Sequence, residues 1–229
     1  HVDHGKSSIL DFIRESSIVK HEAGGITQCI SSTNVPIDNV KKITGALLEK
    51  LKINITIPGL LFIDTPGHKA FTNLRKRGGN LADIAVLVVD INEGIKQQTL
   101  EAIEILKHYK TPFIIAANKI DLISGWRTNK SFLLDNINKQ AEQVRNLLDR
   151  RIYELVARFS ELGFNSERFD RVQDYSKQLA IVPISAKTGE GIPELLMVIT
   201  GLAQKYLEQE LRINVLGEAK GIILEISEE

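Results

Sequence analysis

Residues 1–8 read HVDHGKSS, and Gly5, Lys6 and Ser7 match the second half of a phosphate-binding P-loop, G-x-x-x-x-G-K-[ST]. In that motif backbone N–H groups surround phosphate oxygens, the lysine reaches the β- and γ-phosphates, and the hydroxyl binds Mg²⁺. Apolar residues at positions 9, 10, 12 and 13 share one face of a predicted helix, whose N-terminus favours phosphate charge. The alternative is a chance Gly-Lys-Ser at a helix start, so the rest of the chain has to support the phosphate site.

The composition is that of an uncharged globular chain. Its 229 residues include 29 basic and 29 acidic ones, which gives no net charge and excludes a strongly basic nucleic-acid binder. One cysteine, Cys29, excludes a disulfide framework and is typical of a reducing cytosol, so we expect a cytoplasmic protein. No apolar run approaches the roughly 18 residues of a membrane span, so we expect no membrane partner.

Short apolar runs alternate with helical patterns along the chain. The runs of strand length are 60–63, 84–89, 112–117 and 181–184. They are rich in β-branched residues and should be buried on both faces, as in a parallel sheet. The clearest helical patterns cover 99–109 and 193–206. This alternation predicts an α/β fold with a doubly wound, mostly parallel sheet.

Two segments exceed a minimal fold of this kind. Residues 39–51 have the spacing of an inserted helix, and apolar residues recur every three or four positions from 129 to 162, within an insertion that extends to 177. Packing of these helices on the body is favoured over a groove for a partner. After position 210 the pattern changes to a linker and a new strand near 221–226.

Two short motifs carry groups that suit Mg²⁺ and a γ-phosphate. Asp64 ends the strand run 60–63 and can hold the water shell of Mg²⁺, while Gly67 can offer its N–H to the γ-phosphate. Thr27, in the loop after the first helix, can close over both. Taken alone, Asp-Thr-Pro-Gly at 64–67 is also ordinary turn chemistry.

Two further motifs carry groups that suit guanine. Asn118-Lys119-Ile120-Asp121 follows the strand run 112–117, and its amide can face the O6/N7 side while its carboxylate accepts N1–H and the 2-amino group. Ser185-Ala186-Lys187 follows the run 181–184 and can bring backbone N–H groups to O6. An Asx-type turn is the alternative for the first tetrapeptide. However, five motifs occur in order, mostly at carboxyl ends of predicted strands, where open α/β sheets bind ligands.

At this point the chain resembles the translational GTPases, because HVDHGKS, GIT, DTPGH and NKID match the motifs of that family from position 1 to about 206. Residues 64–99 and the sequence SAKTGEGI at 185–192 are similar to the initiation factor two family. The insertion after Asp121, opened by Gly125-Trp126, and the modest size of 39–51 resemble its archaeal and eukaryotic branch, initiation factor five B.

The resemblance implies a GTP-dependent factor that helps to join the large ribosomal subunit and to place initiator tRNA. It further implies a monomeric GTPase that the ribosome stimulates, with the basic residues Arg75, Lys76 and Arg77 near ribosomal RNA and initiator tRNA reached only through other domains. The alternatives are an elongation or selenocysteine-specific factor, or a G domain that binds without hydrolysing. An ATPase is disfavoured by Asn118 and Asp121.

The resemblance also assigns roles to single residues. His68 would orient the attacking water, Lys6 would neutralise phosphate charge, and Val2 and Ile26 would form an apolar gate. Ser7 and Thr27 would bind Mg²⁺ directly, with Asp64 holding a metal-bound water. Asp3 matches a position linked to a monovalent cation. The nucleotide, GTP or GDP, would contact these residues: Asp3, His4, Gly5, Lys6, Ser7, Ser8, Gly67, Asn118, Lys119, Asp121, Ser185, Ala186 and Lys187.

The domain expectation is a G domain over 1–210 that lacks its first strand, followed by a linker and the first strand of a β-barrel over 211–229. In a doubly wound fold the P-loop follows a central strand, which should lie between the strand that ends at Ile63 and the one that begins at Ile84. Unpaired backbone groups in such a gap cost roughly 1–3 kcal/mol each. We therefore expect the chain to be a piece of a longer protein, poorly folded and weak in GTP binding when made alone.

Overall fold

The computed structural model describes residues 4–16, 31–50, 55–64, 82–129 and 131–207. The helices are α1 Lys6–Ser16, α2 Ile37–Thr44, α3 Ala46–Lys50, α4 Gln97–His108, α5 Leu133–Lys139, α6 Glu142–Glu161 and α7 Ile192–Leu202. The strands are β1 Ser31–Pro36, β2 Gly59–Asp64, β3 Ala85–Asp90, β4 Phe113–Asn118, β5 Ser166–Arg168 and β6 Leu179–Pro183. A 3₁₀ turn covers Ile120–Leu122, and one π-helical turn, Ala203–Leu207, continues α7.

A four-stranded parallel sheet with the strand order β3-β4-β6-β5 forms the centre. Every residue of β4 is buried, which is expected for an inner strand covered on both faces. Asp90 pairs with Asn118 and Ala117 with Pro183, so β3, β4 and β6 end at the same edge. The predicted α/β class is confirmed, and three of the strand runs predicted from sequence belong to this sheet.

The fourth predicted run behaves differently. β2 pairs antiparallel with β1 in a separate two-stranded sheet, and Leu61 on β2 is 63% exposed. The prediction of a strand buried on both faces was therefore wrong for 60–63. β1 was not predicted because its sequence, SSTNVP, is mostly polar and ends in proline. It is a strand with one buried face, since Thr33 and Val35 point inward while their neighbours are exposed.

The segment 39–51 contains two helices, α2 and α3, where one was predicted. The break lies at Gly45, whose φ of 49° and ψ of −133° do not continue a helix. Its backbone N–H still bonds to the carbonyl of Lys41, and Thr44 caps the end by donating its hydroxyl to the carbonyl of Val40 at 2.7 Å. A glycine that adopts positive φ without strain ends α2 here.

The region 129–162 is likewise two helices, α5 and α6, where one long helix was predicted, and the insertion continues beyond them into β5 and turns. Gln140 and Ala141 are extended, with ψ near 150°, so the hydrogen-bond ladder is interrupted. The Gln140 amide nitrogen instead donates to Asn136 Oδ1 at 2.9 Å and to the carbonyl of Arg127 at 2.8 Å. Apolar periodicity runs through the break and could not reveal it.

The inner face of α6 packs on the body of the protein. Its buried residues are Val144, Leu148, Ile152, Leu155 and Phe159, spaced by three or four positions. They join one hydrophobic cluster with the central sheet. Arg168, 7% exposed, ties α6 to β5 by ion pairs of 2.9 Å to Asp149 and 2.6 Å to Asp170. Burial of this face agrees with packing on the body.

Within the described ranges, no helix is both long and apolar enough to cross a bilayer. The predicted strand near 221–226, and the linker before it, lie outside the described residues.

Gly191 offers a stability prediction with an internal control. It has a φ of 76°, and an added Cβ would lie 2.1 Å from the Pro183 carbonyl oxygen. Gly94 has a similar φ of 73° but open space around it. We expect Gly94→Ala to lose about 1–2 kcal/mol of unfolding free energy from the left-handed backbone alone. Gly191→Ala should lose about 1–3 kcal/mol more, because the strand or the helix must shift. Equal losses in urea unfolding would contradict this packing.

Candidate functional site

Polar side chains meet at the carboxyl edge of the parallel sheet. Asp90 ends β3, Asn118 ends β4, and Ser185 comes two residues after β6. All three are at least 97% buried. The register that pairs Asp90 with Asn118 sets two of these groups side by side, at the edge where open α/β sheets bind their ligands.

Asn118 joins two of the predicted motifs. Its Nδ2 donates to the backbone carbonyl of His4 at 2.8 Å, and its Oδ1 accepts the backbone N–H of Ala186 at 2.9 Å. A single buried side chain thus links the residues before Lys6 to the 185–190 loop, positions more than sixty residues apart on either side. The structure therefore brings together three segments that the sequence assigned to one nucleotide site.

Gly5 is required by this close approach. Its φ is 91°, and a Cβ added there would lie only 2.3 Å from Asn118 Nδ2. A side chain at position 5 would push Asn118 away from the His4 carbonyl. The glycine of the Gly-Lys-Ser sequence therefore serves a backbone conformation and a contact at once.

The helix predicted after Gly5 is confirmed as α1, which begins at Lys6. Ile9 and Ile13 bury its inner face, while Lys6 is half-buried and Ser7 and Ser8 are exposed in the first turn. The N–H groups of a first helical turn have no partner within the helix and attract anions. The Lys6 ammonium group adds positive charge at the same end.

Lys119 is held by two residues that the sequence analysis missed. Its Nζ forms a 2.8 Å salt bridge with Asp90 Oδ2, and its carbonyl accepts a 3.1 Å hydrogen bond from Asn92 Nδ2. Lys119 has a φ of 71°, a conformation that disfavours a long side chain, so these contacts stabilise it. Burial opposes ionisation of Asp90, but hydrogen bonds from Lys119 and the Asn92 N–H hold the pKa of Asp90 below its ordinary value.

The backbone N–H groups of the 185–190 loop are not equally available. Ser185 donates to the Glu190 carbonyl at 2.8 Å, and Ala186 donates to Asn118. The N–H of Lys187 makes no hydrogen bond within the part of the chain that the structure describes. Lys187 is exposed, so its N–H is the donor of the predicted trio that a guanine O6 can reach.

Asp121 lies in the 3₁₀ turn directly after Lys119 and Ile120. Its side chain is half-buried, and its carboxylate makes no hydrogen bond to any other described residue. The turn is fixed because the N–H of Ile120 donates to the Ile184 carbonyl at 3.2 Å. Asp121 is therefore a positioned acceptor on the same edge as Asn118.

His4 contributes its backbone to the site more than its ring. The side chain is 1% exposed, with Nε2 3.7 Å from Glu93 Oε2. Burial lowers the pKa of His4 below its ordinary value, and Asp90 and Glu93 oppose that shift. A buried, neutral ring near Glu93 packs beneath the phosphate loop, so the predicted contact to a nucleotide falls to the backbone of this residue.

The predicted Mg²⁺ ligands can be examined only in part. Ser7 has an exposed hydroxyl in the first turn of α1, and Asp64 has a half-buried carboxylate at the end of β2, which contacts α1. An oxygen-only set of hydroxyl and carboxylate suits a hard cation such as Mg²⁺. Several predicted residues lie outside the described residues: Val2, Asp3, Ile26, Thr27, Gly67, His68, Arg75, Lys76 and Arg77.

Sequence reasoning also missed a buried polar cluster beside the site. Glu190, Asn136 and Gln140 are each at least 93% buried and bonded to one another or to Arg127. The signal was present for Asp90, which ends a predicted strand just as Asp64 does. No comparable pattern marks Asn136 and Gln140, because their partners lie far away in sequence.

Comparison with protein-family models identifies the nucleotide loops. The model described as the elongation factor Tu GTP binding domain matches residues 1–205. The chain belongs to that family. The match covers each segment that meets at the carboxyl edge of the sheet, so the motifs and the geometry agree.

Curated relatives narrow the likeness within the GTP-binding domain family. The chain is 59% identical over 231 residues to the probable translation initiation factor IF-2 of Thermococcus sibiricus and 56% identical over 230 residues to that of Methanopyrus kandleri. All of the chain is covered in both comparisons, but only 38% of either relative. The chain therefore spans well under half the length of the curated relatives it matches.

A solved structure agrees with the fold. The crystal structure of GDP-bound aIF5B from Aeropyrum pernix matches with a TM-score of 0.83 and 52% sequence identity. The match covers 93% of this chain and 36% of that one. The fold is thus the α/β fold of P-loop GTPases, as the sequence predicted, and the relatives are named initiation factors rather than elongation factors.

Proposed function

We propose that the chain is the G domain of a translation initiation factor and binds GTP and GDP with Mg²⁺. The observation that carries the proposal is the double hydrogen bond of Asn118, which fastens the phosphate loop to the 185–190 loop. Asn118, Asp121 and the Lys187 N–H read guanine, while Gly5, Lys6 and the first turn of α1 bind phosphates. Family membership and the GDP-bound relative support this assignment.

GTP hydrolysis follows from the same arrangement. Phosphoryl transfer depends on positioning and on neutralising charge more than on covalent chemistry. Lys6 stabilises negative charge on the β- and γ-phosphates, and Gly67 binds the γ-phosphate through its N–H. His68 orients the attacking water, and Val2 and Ile26 form the apolar gate through which it acts. Mg²⁺ supplies charge neutralisation between phosphates, with Ser7, Thr27 and Asp64 as its holders. Asp3 would hold a monovalent cation.

The protein that carries this G domain acts on the ribosome. We infer that it promotes subunit joining, that large-subunit RNA near the GTPase centre stimulates hydrolysis, and that initiator tRNA is contacted through other domains. We infer a monomer in the cytoplasm, with the G domain over 1–210 and a linker and barrel strand over 211–229. The names of the relatives support the initiation role. They do not favour an elongation or selenocysteine-specific factor.

A subunit-joining assay with the full-length protein tests this function. Purified ribosomal subunits are mixed with the factor and GTP, and joining and single-turnover hydrolysis are followed together. We expect GTP to accelerate joining and the assembled ribosome to accelerate hydrolysis. Binding of GTP without hydrolysis on ribosomes would support a binding scaffold instead. Ribosome-stimulated hydrolysis without faster joining would support an elongation-type factor.

A further inference from the structure

A carboxylate without a cationic partner is buried at the end of the 185–190 loop. Glu190 is 7% exposed and accepts hydrogen bonds from Thr188 Oγ1 at 2.8 Å, from Trp126 Nε1 at 3.3 Å and from the Asn136 side-chain amide. Across the described ranges Glu190 takes part in no salt bridge. A buried carboxylate is tolerated only where donors replace water. Its position therefore depends on these donors.

Two of the donors belong to the insertion that follows Asp121. Trp126 lies just after the 3₁₀ turn, and Asn136 lies in α5. Asn136 is itself fixed, because its Oδ1 accepts from Gln140 Nε2 at 2.9 Å and its amide also reaches the Arg127 carbonyl at 3.3 Å. The insertion thus presents a prearranged pair of donors to Glu190.

The other contacts of Glu190 shape the loop itself. Its carbonyl accepts the N–H of Ser185 at 2.8 Å, and its carboxylate holds Thr188, whose N–H donates to Ser185 Oγ at 3.2 Å. The N–H of Lys187 lies between these anchored residues. If Glu190 moved out to water, Ser185 and Thr188 would lose their partners and Lys187 would move with them.

We propose that Glu190 is a positioning residue for the guanine site, and that the insertion, acting through Trp126 and Asn136, sets how long a guanine nucleotide stays bound. The inference rests on the proposed GTP and GDP binding. Detaching the insertion leaves Glu190 with one of its three side-chain donors. The carboxylate then turns to water, the 185–190 loop relaxes, and the contact to guanine O6 weakens.

Glu194 provides a matched comparison. It is 2% exposed and also docks on the insertion, where its Oε1 accepts the Leu133 N–H at 2.7 Å. Burial raises the pKa of Glu194 above its ordinary value. It lies in α7, and none of its hydrogen bonds in the described part of the chain involves the 185–190 loop. Removing its charge disturbs the insertion without touching the guanine contact.

The test is the dissociation of N-methylanthraniloyl-GDP from the full-length protein, followed by stopped-flow fluorescence. We compare the parent with Glu190→Gln, Trp126→Phe, their combination and Glu194→Gln. Trp126→Phe keeps an aromatic ring and removes only the indole N–H. Glu190→Gln and Trp126→Phe should each raise the dissociation rate about tenfold, the scale of one lost charged hydrogen bond. The combination should be no faster than the faster single variant. Glu194→Gln should stay within about twofold of the parent.

A second readout separates positioning from a general loss of stability. 6-Thio-GDP keeps N1–H and the 2-amino group of GDP but carries sulfur, a weak acceptor, in place of O6. The parent should prefer GDP, and Glu190→Gln should shrink that preference about tenfold, because the O6 donor has moved. A merely structural role would weaken both nucleotides equally.

Each outcome decides the proposal. Unchanged dissociation in Trp126→Phe overturns it, even if Glu190→Gln fails to fold. An equal acceleration in Glu194→Gln, or a lower melting temperature with an unchanged rate, reduces Glu190 to a structural residue and also overturns it. A parent that binds no GDP refutes the proposed function itself. A parent that binds GDP beside variants that dissociate at the parental rate refutes the positioning role alone.

Discussion

Asp121→Asn is expected to convert a guanine site into a xanthine site. The Asp121 carboxylate is a positioned acceptor without a partner among the described residues, and guanine offers N1–H and the 2-amino group to such an acceptor. An asparagine amide instead donates to the 2-carbonyl of xanthine. Sites built on such hydrogen bonds reject the wrong partner by about 10⁴–10⁵-fold. The ratio of GDP to XDP affinity should therefore fall by about 10⁴-fold.

Competition binding with GDP and XDP on the full-length protein measures this ratio. Asp135→Asn is the control, since it removes the same charge from an exposed position in the first turn of α5. It should leave the ratio unchanged. Parental GDP affinity in Asp121→Asn would remove Asp121 from base recognition.

His68→Ala is expected to leave GTP binding near normal and to slow ribosome-stimulated hydrolysis by at least about 10²-fold. That loss is the usual scale for a group that orients water or moves a proton in the transition state. The expectation rests on the DTPGH sequence at 64–68 and on family membership. Single-turnover hydrolysis on ribosomes, with GTP affinity measured in parallel, gives both quantities.

His108→Ala serves as the control for this variant, because His108 is an exposed histidine at the end of α4. Its hydrolysis rate should equal that of the parent. Parental turnover in His68→Ala would make His68 a bystander. A collapse of GTP binding would assign it a structural role instead.

The guanine-binding elements were predictable because their signals are local. Asn118 and Asp121 follow a strongly apolar run, and a polar residue there must lie at the carboxyl edge of a parallel sheet. Gly5 before Lys6 is likewise a short motif with its own geometric reason. Sequence patterns predict such positions well, since strand ends and glycine turns are fixed within a few residues.

Other parts depend on contacts between distant residues, and patterns along the chain do not contain them. β1 is recognised as a strand only through its pairing with β2. The break between α5 and α6 follows from the hydrogen bonds of Gln140 to Asn136 and Arg127, which periodicity does not register. Glu190 was quoted as part of a motif, but its burial against Trp126 required the fold.

Asp90 falls between these cases. It ends a predicted strand, so the rule applied to Asp64 would have placed it at the site. Its role was not accessible, because the partner is Lys119, whose side chain turns toward it from the next strand. Sequence position therefore indicates where a functional side chain lies, while its partner depends on strand order.

The central claim is that the carboxyl edge of this sheet is built for guanine. The most direct test is the affinity of the full-length wild-type protein for GDP and for ADP, each displacing N-methylanthraniloyl-GDP in the presence of Mg²⁺. Adenine offers an acceptor at N1 and no group at C2, so Asp121 would face a lone pair. We expect GDP to bind at least about 10⁴-fold more tightly than ADP. Affinities within about tenfold of each other, or no binding of either nucleotide, would contradict the assignment.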